Sequence, residues 1–530
     1  MMSITYSDAM AITKWSLATQ AISLWDSDRH PSRILCFLPL VNRPGGGRQV
    51  FCVNGSNFIP GRLYGLERRV GVCGDATALA HELGKRQAEA KFSGKLRKLC
   101  PGDQTAFQKN AAIALRCSVL RTLTGQSYRV FAQTLADSPL RQWFCRVGQV
   151  GAARIPSKSS LQNYSELVEA DALREVVMHL VQKSSEPGRS AEWTEPVSVE
   201  TVFLDSTAVE LDIHHPVDWV LLRDGVRTLV KAMILIRKQG LKVRMDEPAT
   251  FLSGINKLCM QMTAVGKRSG DKKGRKKVLR RMKAHVRVVM GHAVRHRDKL
   301  AAEWQQTAWS EKETNVVLVR IETILAALPV AIKQAHERII GERLVNNKEK
   351  LLSLYEPHAS VIVRGKAGAE VEFGRQLLLA EAGCGLVIDW DLRTEKVESD
   401  VFLMGESLVR MGKWGLPVSV VVGDRGFDSK AARQELADRG IENGIAPKDP
   451  KMFAASWKGE RFRRWHHRIA ERGAQTEARI GIFKNEFLGG PLLSKGIAGQ
   501  DRQVGWAALT HNLWLLADLR KLRGSPPKAN

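Results

Sequence analysis

From residue 104 onward the chain changes between two kinds of hydrophobic spacing. In "QTAFQKNAAIALRCSVLRTLTG", Ala106, Phe107, Ala111, Ile113, Ala114, Val119, Leu120 and Leu123 recur at helical spacing, and Gly125 follows as a C-cap. "SYRVFAQTLADSP" reads as a second helix with Ser127 at its N-cap. "IPSKSSLQNYSELVEADALREVVMHLV" reads as a third and a fourth, capped by Ser157 or Ser159, with Leu161, Tyr164 and Leu167 as a stripe. Lys158, Gln162 and Asn163 sit near the start of that third helix, a pattern that fits a helix-turn-helix or a plain helical bundle. The stretch 183–196, "KSSEPGRSAEWTEP", has no periodicity and reads as a linker.

After the linker, "VETVFLD" alternates as a strand, with Val199, Thr201, Phe203 and Asp205 on one side. "DWVLLRDGVRTLVKAMILIRKQG" is an amphipathic helix closed by Gly240, and residues 241–350 continue helical and basic. From 358 the period becomes two. "ASVIVRGKAGAEVEFG" reads as a hairpin-like pair, and "RQLLLAEAGCGLVIDWDL" as two further strands around 383–385. A helix, the strand "LPVSVVVGD", the helix "SKAARQELADRG", the short strand "IENGIAP" and two final helices follow.

The fold class is therefore α/β. A region of uncertain fold (1–95) precedes a mostly helical region (96–190). A mixed sheet with its helices (197–240 and 351–520) is interrupted by a basic helical insertion (241–350).

Charge narrows the class of partner. Of 530 residues, 81 are Lys or Arg and 55 are Asp or Glu, a net charge of +26. An excess of that size favours a polyanion, nucleic acid first and an anionic membrane surface second. Much of it is concentrated in "DKKGRKKVLRRMK", and Arg287, Arg295, Arg297 and Lys299 continue it. The eight cysteines form no C-x-x-C pair, which argues against zinc and for buried free thiols in a reducing compartment. The N-terminus lacks a signal-peptide pattern and no apolar run reaches membrane-spanning length, so a soluble cytoplasmic protein is expected.

Three acidic residues carry the candidate chemistry. Asp205 follows the apolar run "VETVFL", Asp424 follows "VSVVVG", and Glu477 lies on the helix "RGAQTEARIGIFKN". Alone, each has a plainer reading: a turn or capping Asp, or a solvated helix Glu. Together they can bring three oxygen ligands to hard divalent cations, and two such ions can cleave a phosphodiester. Lys484, seven positions after Glu477, shares its helix face, and Arg479 adds a phosphate contact. Glu210 and Asp212, which follow Asp205 closely, could serve as surrogate ligands but rank below it, while His214, His215, His466 and His467 lack zinc spacing. No phosphate-binding P-loop or dinucleotide fingerprint is present.

"LDSTAVELDIHHPVDWVLLRDGVRTL", "HASVIVRGKAGAEVEFGRQLLLAE", "VVVGDRGFDS" and "RGAQTEARIGIFKN" occur in the order seen in DDE transposases of bacterial insertion sequences. The chain resembles that family, most of all its ISNCY group, over roughly residues 110–520. The resemblance implies an RNase H-like core with Asp205, Asp424 and Glu477 as catalytic residues. It also implies two Mg²⁺ ions (Mn²⁺ as a substitute) and cleavage and joining of DNA at terminal inverted repeats and a target. Many members carry a Tyr, an Arg four before the Glu and a Lys seven after it. Lys484 fits; position 473 is Gly with Arg472 one place away, and no Tyr is suitably placed. Lys484, Arg472, Arg425 and Arg479 would contact phosphates. Lys272, Lys273, Arg275, Lys276, Lys277, Arg280 and Arg281 would clamp DNA, in a homodimer or higher assembly. A nuclease without strand transfer, or a silent DNA-binding regulator derived from a transposase, are the alternatives.

Overall fold

The computed structural model describes residues 104–148, 154–185, 197–267, 271–366, 369–394, 400–449, 451 and 478–524. The region 1–95, Arg472, Glu477, His466 and His467 lie outside the described residues. The chain divides into two units, 1–197 with 508–530, and 198–507.

Among the described residues of the first unit, helices run α1 (Gln104–Thr124), α2 (Tyr128–Asp137), α3 (Pro139–Cys145), α4 (Lys158–Glu166) and α5 (Ala170–Ser185). Ser127 and Ser157 cap α2 and α4, accepting from the N–H of Val130 and Ser160. Gly125 takes a left-handed φ of 63°, as a helix-ending residue does. Helical spacing alone does not reveal α3, because "DSP" looks like a stop. Ser138 ends α2 and also caps α3, with Pro139 at the first helical position where its missing N–H costs nothing. Leu120, Phe131, Leu135, Phe144 and Leu161 form the core. Buried Arg116 donates to the Phe144 carbonyl at 3.0 Å and lies over that ring.

In the second unit, a six-stranded mixed sheet forms around β1 (Thr201–Glu210). The other strands are β2 (Ser360–Lys366), β3 (Ala369–Ala382), β4 (Val387–Leu392), β5 (Val420–Val422) and β6 (Glu442–Asn443). The order is β2-β3-β1-β5-β6, with β4 also paired to β3. β1 is antiparallel to β3 and parallel to β5, and β5 is parallel to β6. Helix α10 (Asp400–Lys413) leads from β4 to β5, and α11 (Lys430–Asp438) from β5 to β6. A final helix α12 spans Gly496–Gly524, its residues from 508 belonging to the first unit.

The segments "AEVEFG" and "RQLLLAEA", expected as separate strands, are one 14-residue strand, β3. β2 pairs with its first half and β4 with its second. Gly374, which looks like a break, is a point of close approach. A Cβ there would lie 2.0 Å from the Val209 carbonyl oxygen.

Between β1 and β2 lie four helices, α6 (Asp218–Lys238), α7 (Pro248–Lys267), α8 (Lys272–Glu303) and α9 (Glu311–Ala335). They share one core that includes Leu222, Val226, Leu229, Ile255, Met262, Leu279, Met282, Val286, Ile321, Ile324 and Leu328. Helix α6, expected with the sheet, therefore packs in the helical block. Buried Asp218 at its start accepts from Gln334, at the far end of α9, and from Arg338, in the turn just after it, at 2.9 and 3.0 Å. The stretch Glu311–Ile340 has an 18-residue window of mean hydropathy 1.8, so one helix does have the length and composition of a span. Val317, Ile321, Ile324 and Leu328 on it pack into the block as core-helix residues do.

Lys272 and Lys276 on α8 each reach Glu342 at 2.8 Å. Hydrogen bonds from Lys272 and Lys276, with their charges, hold that carboxyl down from 4.5 to about 2. A depressed carboxyl contributes stability above its unfolded value, lost as pH falls through about 2. NMR titration of Glu342 at low salt is expected to give a midpoint near 2, rising as salt screens the exposed pair. An ordinary carboxylate midpoint at low salt would contradict this pairing.

Candidate functional site

The site is built from the sheet outward. β1 continues five residues beyond Asp205, so this aspartate lies mid-strand, opposite Leu379, and not at a strand end. It is half-buried, between fully buried Leu204 and half-buried Ser206. Because β3 pairs along the whole of this stretch, the Asp205 backbone is fixed by the ladder.

β5 is short. Its parallel pairing with β1 ends at the Phe203–Val422 pair. Asp205 and Asp424 each come two residues later, and Asp424 retains extended backbone (φ −76°, ψ 177°). Neighbouring strands run about 4.8 Å apart, so the register carries the two aspartates forward side by side, Asp205 within β1 and Asp424 just past the end of β5. Asp424 is exposed and caps a single 3₁₀ turn, Arg425–Phe427, its Oδ1 accepting from Gly426 N–H at 2.8 Å. The turn reading and the site reading of "GDRG" therefore describe the same residue.

The glycines of that turn are there for space. Neither Gly423 nor Gly426 has a positive φ. A Cβ at Gly423 would press on buried Phe427 at 3.1 Å. A Cβ at Gly426 would lie 2.7 Å from Asp400 Oδ2 and 2.8 Å from Asp424 Oδ1. So Asp400, at the start of α10, brings a third carboxylate beside the turn, held by Gln376 Nε2 at 2.9 Å. Asp428, next in the loop, is paired with Arg433 at 2.6 Å and accepts a hydrogen bond from the Lys448 backbone N–H.

On the other side of Asp205 lies Glu381. Phe203 pairs with Glu381 and Asp205 with Leu379, so Glu381 and Asp205 are diagonal neighbours on one face of the sheet. Glu381 is 2% exposed, and among the described residues neither carboxylate oxygen has a hydrogen-bond partner. Burial pushes its carboxyl up to about 7; Arg479 pulls it down and Asp205 pushes it further up. This residue is missing from the expected set. Its signal in the sequence is a lone charge in the apolar run "LLLAEA".

The helical stretch 478–488 supplies two cations. Arg479 donates to the Gly383 carbonyl at 3.4 Å, and Lys484 Nζ to the Ala208 carbonyl at 2.6 Å. Any phosphate contact by Lys484 would be made alongside that bond or in its place. Arg425 is exposed beside Asp424. Glu210 and Asp212 lie at the far end of β1, five and seven residues from Asp205, and Lys495 reaches Asp212 at 3.3 Å. His215 packs edge-on against Phe373.

On α8, Lys273, Lys277, Arg280 and Arg287 are exposed at i, i+4, i+7 and i+14, which is one stripe. The opposite stripe, Leu279, Met282, Val286 and Val289, is buried. Lys272 and Lys276 are instead engaged with Glu342, and Arg281 donates to Gln261 at 3.3 Å.

Asp205, Asp424, Asp400 and Glu381 offer carboxylate oxygens, the type that hard divalent cations take. Among the described residues no three His, Cys, Asp or Glu side chains already converge as a metal cage. Glu477, the third expected ligand, is not among them. Comparison with family models, curated proteins and solved structures returned no match to this chain.

Proposed function

We propose that the chain is a DDE-type transposase with an RNase H-like core, cleaving DNA at the ends of an insertion sequence and joining them to a target. The observation that carries this reading is the parallel β1–β5 register, which ends at Phe203–Val422 and leaves Asp205, in β1, and Asp424, just past the end of β5, each two residues further on. The strand arrangement supports it. An antiparallel β1–β3–β4 set followed by parallel β5 and β6 on the other side of β1 is the arrangement expected of such a core.

Divalent metal ions, Mg²⁺ or Mn²⁺, held by Asp205, Asp424 and Glu477, would supply activation of the attacking oxygen and stabilisation of the leaving oxygen. The chain's own residues do the rest. Asp205 is fixed in a paired strand, and Asp424 is aimed by its turn, so neither carboxylate needs large rearrangement to act. Arg425, Arg479, Lys484 and Arg472 would orient phosphates. The first unit would recognise the element ends.

The α8 stripe is the natural phosphate track. Replacing Lys273, Lys277 and Arg280 with Ala is expected to flatten the dependence of log affinity on log salt by about 2 to 3, at roughly 0.9 for each phosphate no longer neutralised. Replacing Lys272 and Lys276, which are engaged with Glu342, is expected to change the slope less. Equal slopes for all variants would remove α8 from the DNA interface.

The reading is tested by incubating the protein with Mg²⁺ and DNA carrying pre-cleaved element ends with free 3′-OH groups. Joined products are expected. Hydrolysis without joining would mark a nuclease, and end binding without either reaction a regulator.

A further inference from the structure

Glu381 is a buried titratable group that the proposed triad does not use. It lies on the same face of the sheet as Asp205, one diagonal position away, and among the described residues its carboxylate has no hydrogen-bond partner. The β3–β4 ladder slips at this point, with Ala380 opposite Asp389 but Glu381 opposite Val387. Such irregularities re-aim side chains and occur next to active sites. Arg479 is close enough to pull its carboxyl down, yet donates to the Gly383 carbonyl and not to Glu381. A buried carboxylate with no donor is costly to the fold. Such a group is explained when an occupant of the site brings donors.

We propose that Glu381 is a positioning residue of the cation site at Asp205, accepting hydrogen bonds from water carried by the bound ion. This rests on the proposed use of Asp205 as a cation ligand. Mg²⁺ keeps several waters when protein-bound, and each is a donor. An ionised carboxylate is an acceptor only, with about four lone-pair sites to offer them. Orienting partners of this kind typically matter 10- to 100-fold for metal affinity.

The test is titration of Mn²⁺ into the full-length chain without DNA, followed by calorimetry or by the resonance of free Mn²⁺. Glu381→Gln, isosteric but uncharged, is expected to bind Mn²⁺ about 10- to 100-fold more weakly. The metal-free Gln chain should melt no lower than wild type, which a purely structural Glu would not allow. Glu381→Asp keeps the charge but withdraws it, and an affinity several-fold below wild type is expected. Wild-type affinity in the Gln chain, or in the Asp chain should the Gln chain not fold, overturns the inference. The Asp205→Asn chain separates the two ideas. If it loses Mn²⁺ while Glu381→Gln does not, only the role of Glu381 fails. If it binds Mn²⁺ as wild type does, or if wild type binds none, the proposed function fails and this inference with it.

Discussion

Asp205→Asn is expected to slow single-strand cleavage at the element end by roughly 10³-fold or more, since metal-assisted charge stabilisation is worth several kcal/mol and each 1.36 kcal/mol is tenfold. The substitution keeps the shape of the side chain and removes one anionic oxygen donor. The strand around it is paired with β3 from Val202 to Glu210, so the backbone has no reason to move. DNA binding should stay within about twofold, because the substitution leaves untouched the phosphate contacts proposed for α8 and the first unit. Asp424→Asn should behave alike in cleavage. Its cap on the turn would survive, because an Asn oxygen still accepts from Gly426 N–H. Cleavage within tenfold of wild type in either variant would remove that residue from the reaction.

Gly374→Ala is expected to have the largest effect on folding. Three strands meet at this residue, which pairs with Glu210 of β1 and Ser360 of β2. A methyl group 2.0 Å from the Val209 carbonyl cannot be absorbed by a side-chain rotation, because the obstacle is backbone. Overpacking in a tight site costs about 1–3 kcal/mol, and more where backbone must shift. Hydrogen exchange of β1 and β3 amides should therefore quicken by about a hundredfold, the equivalent of roughly 3 kcal/mol. Unchanged protection would mean that the strands part there without cost.

The same glycine shows why part of the fold was legible in the sequence and part was not. The apolar runs before Asp205 and Asp424 read as strands because alternation and β-branched residues state their local preference. What local pattern cannot state is how strands are paired. Gly374 looked like a break because glycine usually weakens a strand, whereas here it admits a neighbouring backbone. Helix α6 follows β1 directly in the chain, but its apolar face, Leu222 to Met233, meets α7, α8 and α9. That choice depends on partners as far as a hundred residues away. Ser138 and Pro139 end one helix and begin another, two roles with one signature.

The site divides in the same way. Asp424 drew attention as an acidic residue after a buried run. That it runs side by side with Asp205 depends on the Phe203–Val422 register, which only the assembled sheet contains. Glu381 escaped because its run reads as an ordinary buried strand, and its charge gains meaning only from the strand opposite. Lys272 and Lys276 looked like the rest of the basic block. Their pairing with Glu342 rests on a turn 70 residues beyond Lys272.

The central claim is that Asp205 and Asp424 share one cation site. Loading the protein with Fe²⁺ and adding ascorbate generates radicals that cut the chain within a few ångströms of the bound metal. Cuts are expected near both 205 and 424 in the same sample, suppressed together by excess Mg²⁺ and by Asp205→Asn. Cutting near only one of the two, or cuts near both that Asp205→Asn suppresses at 205 alone, would contradict a shared site.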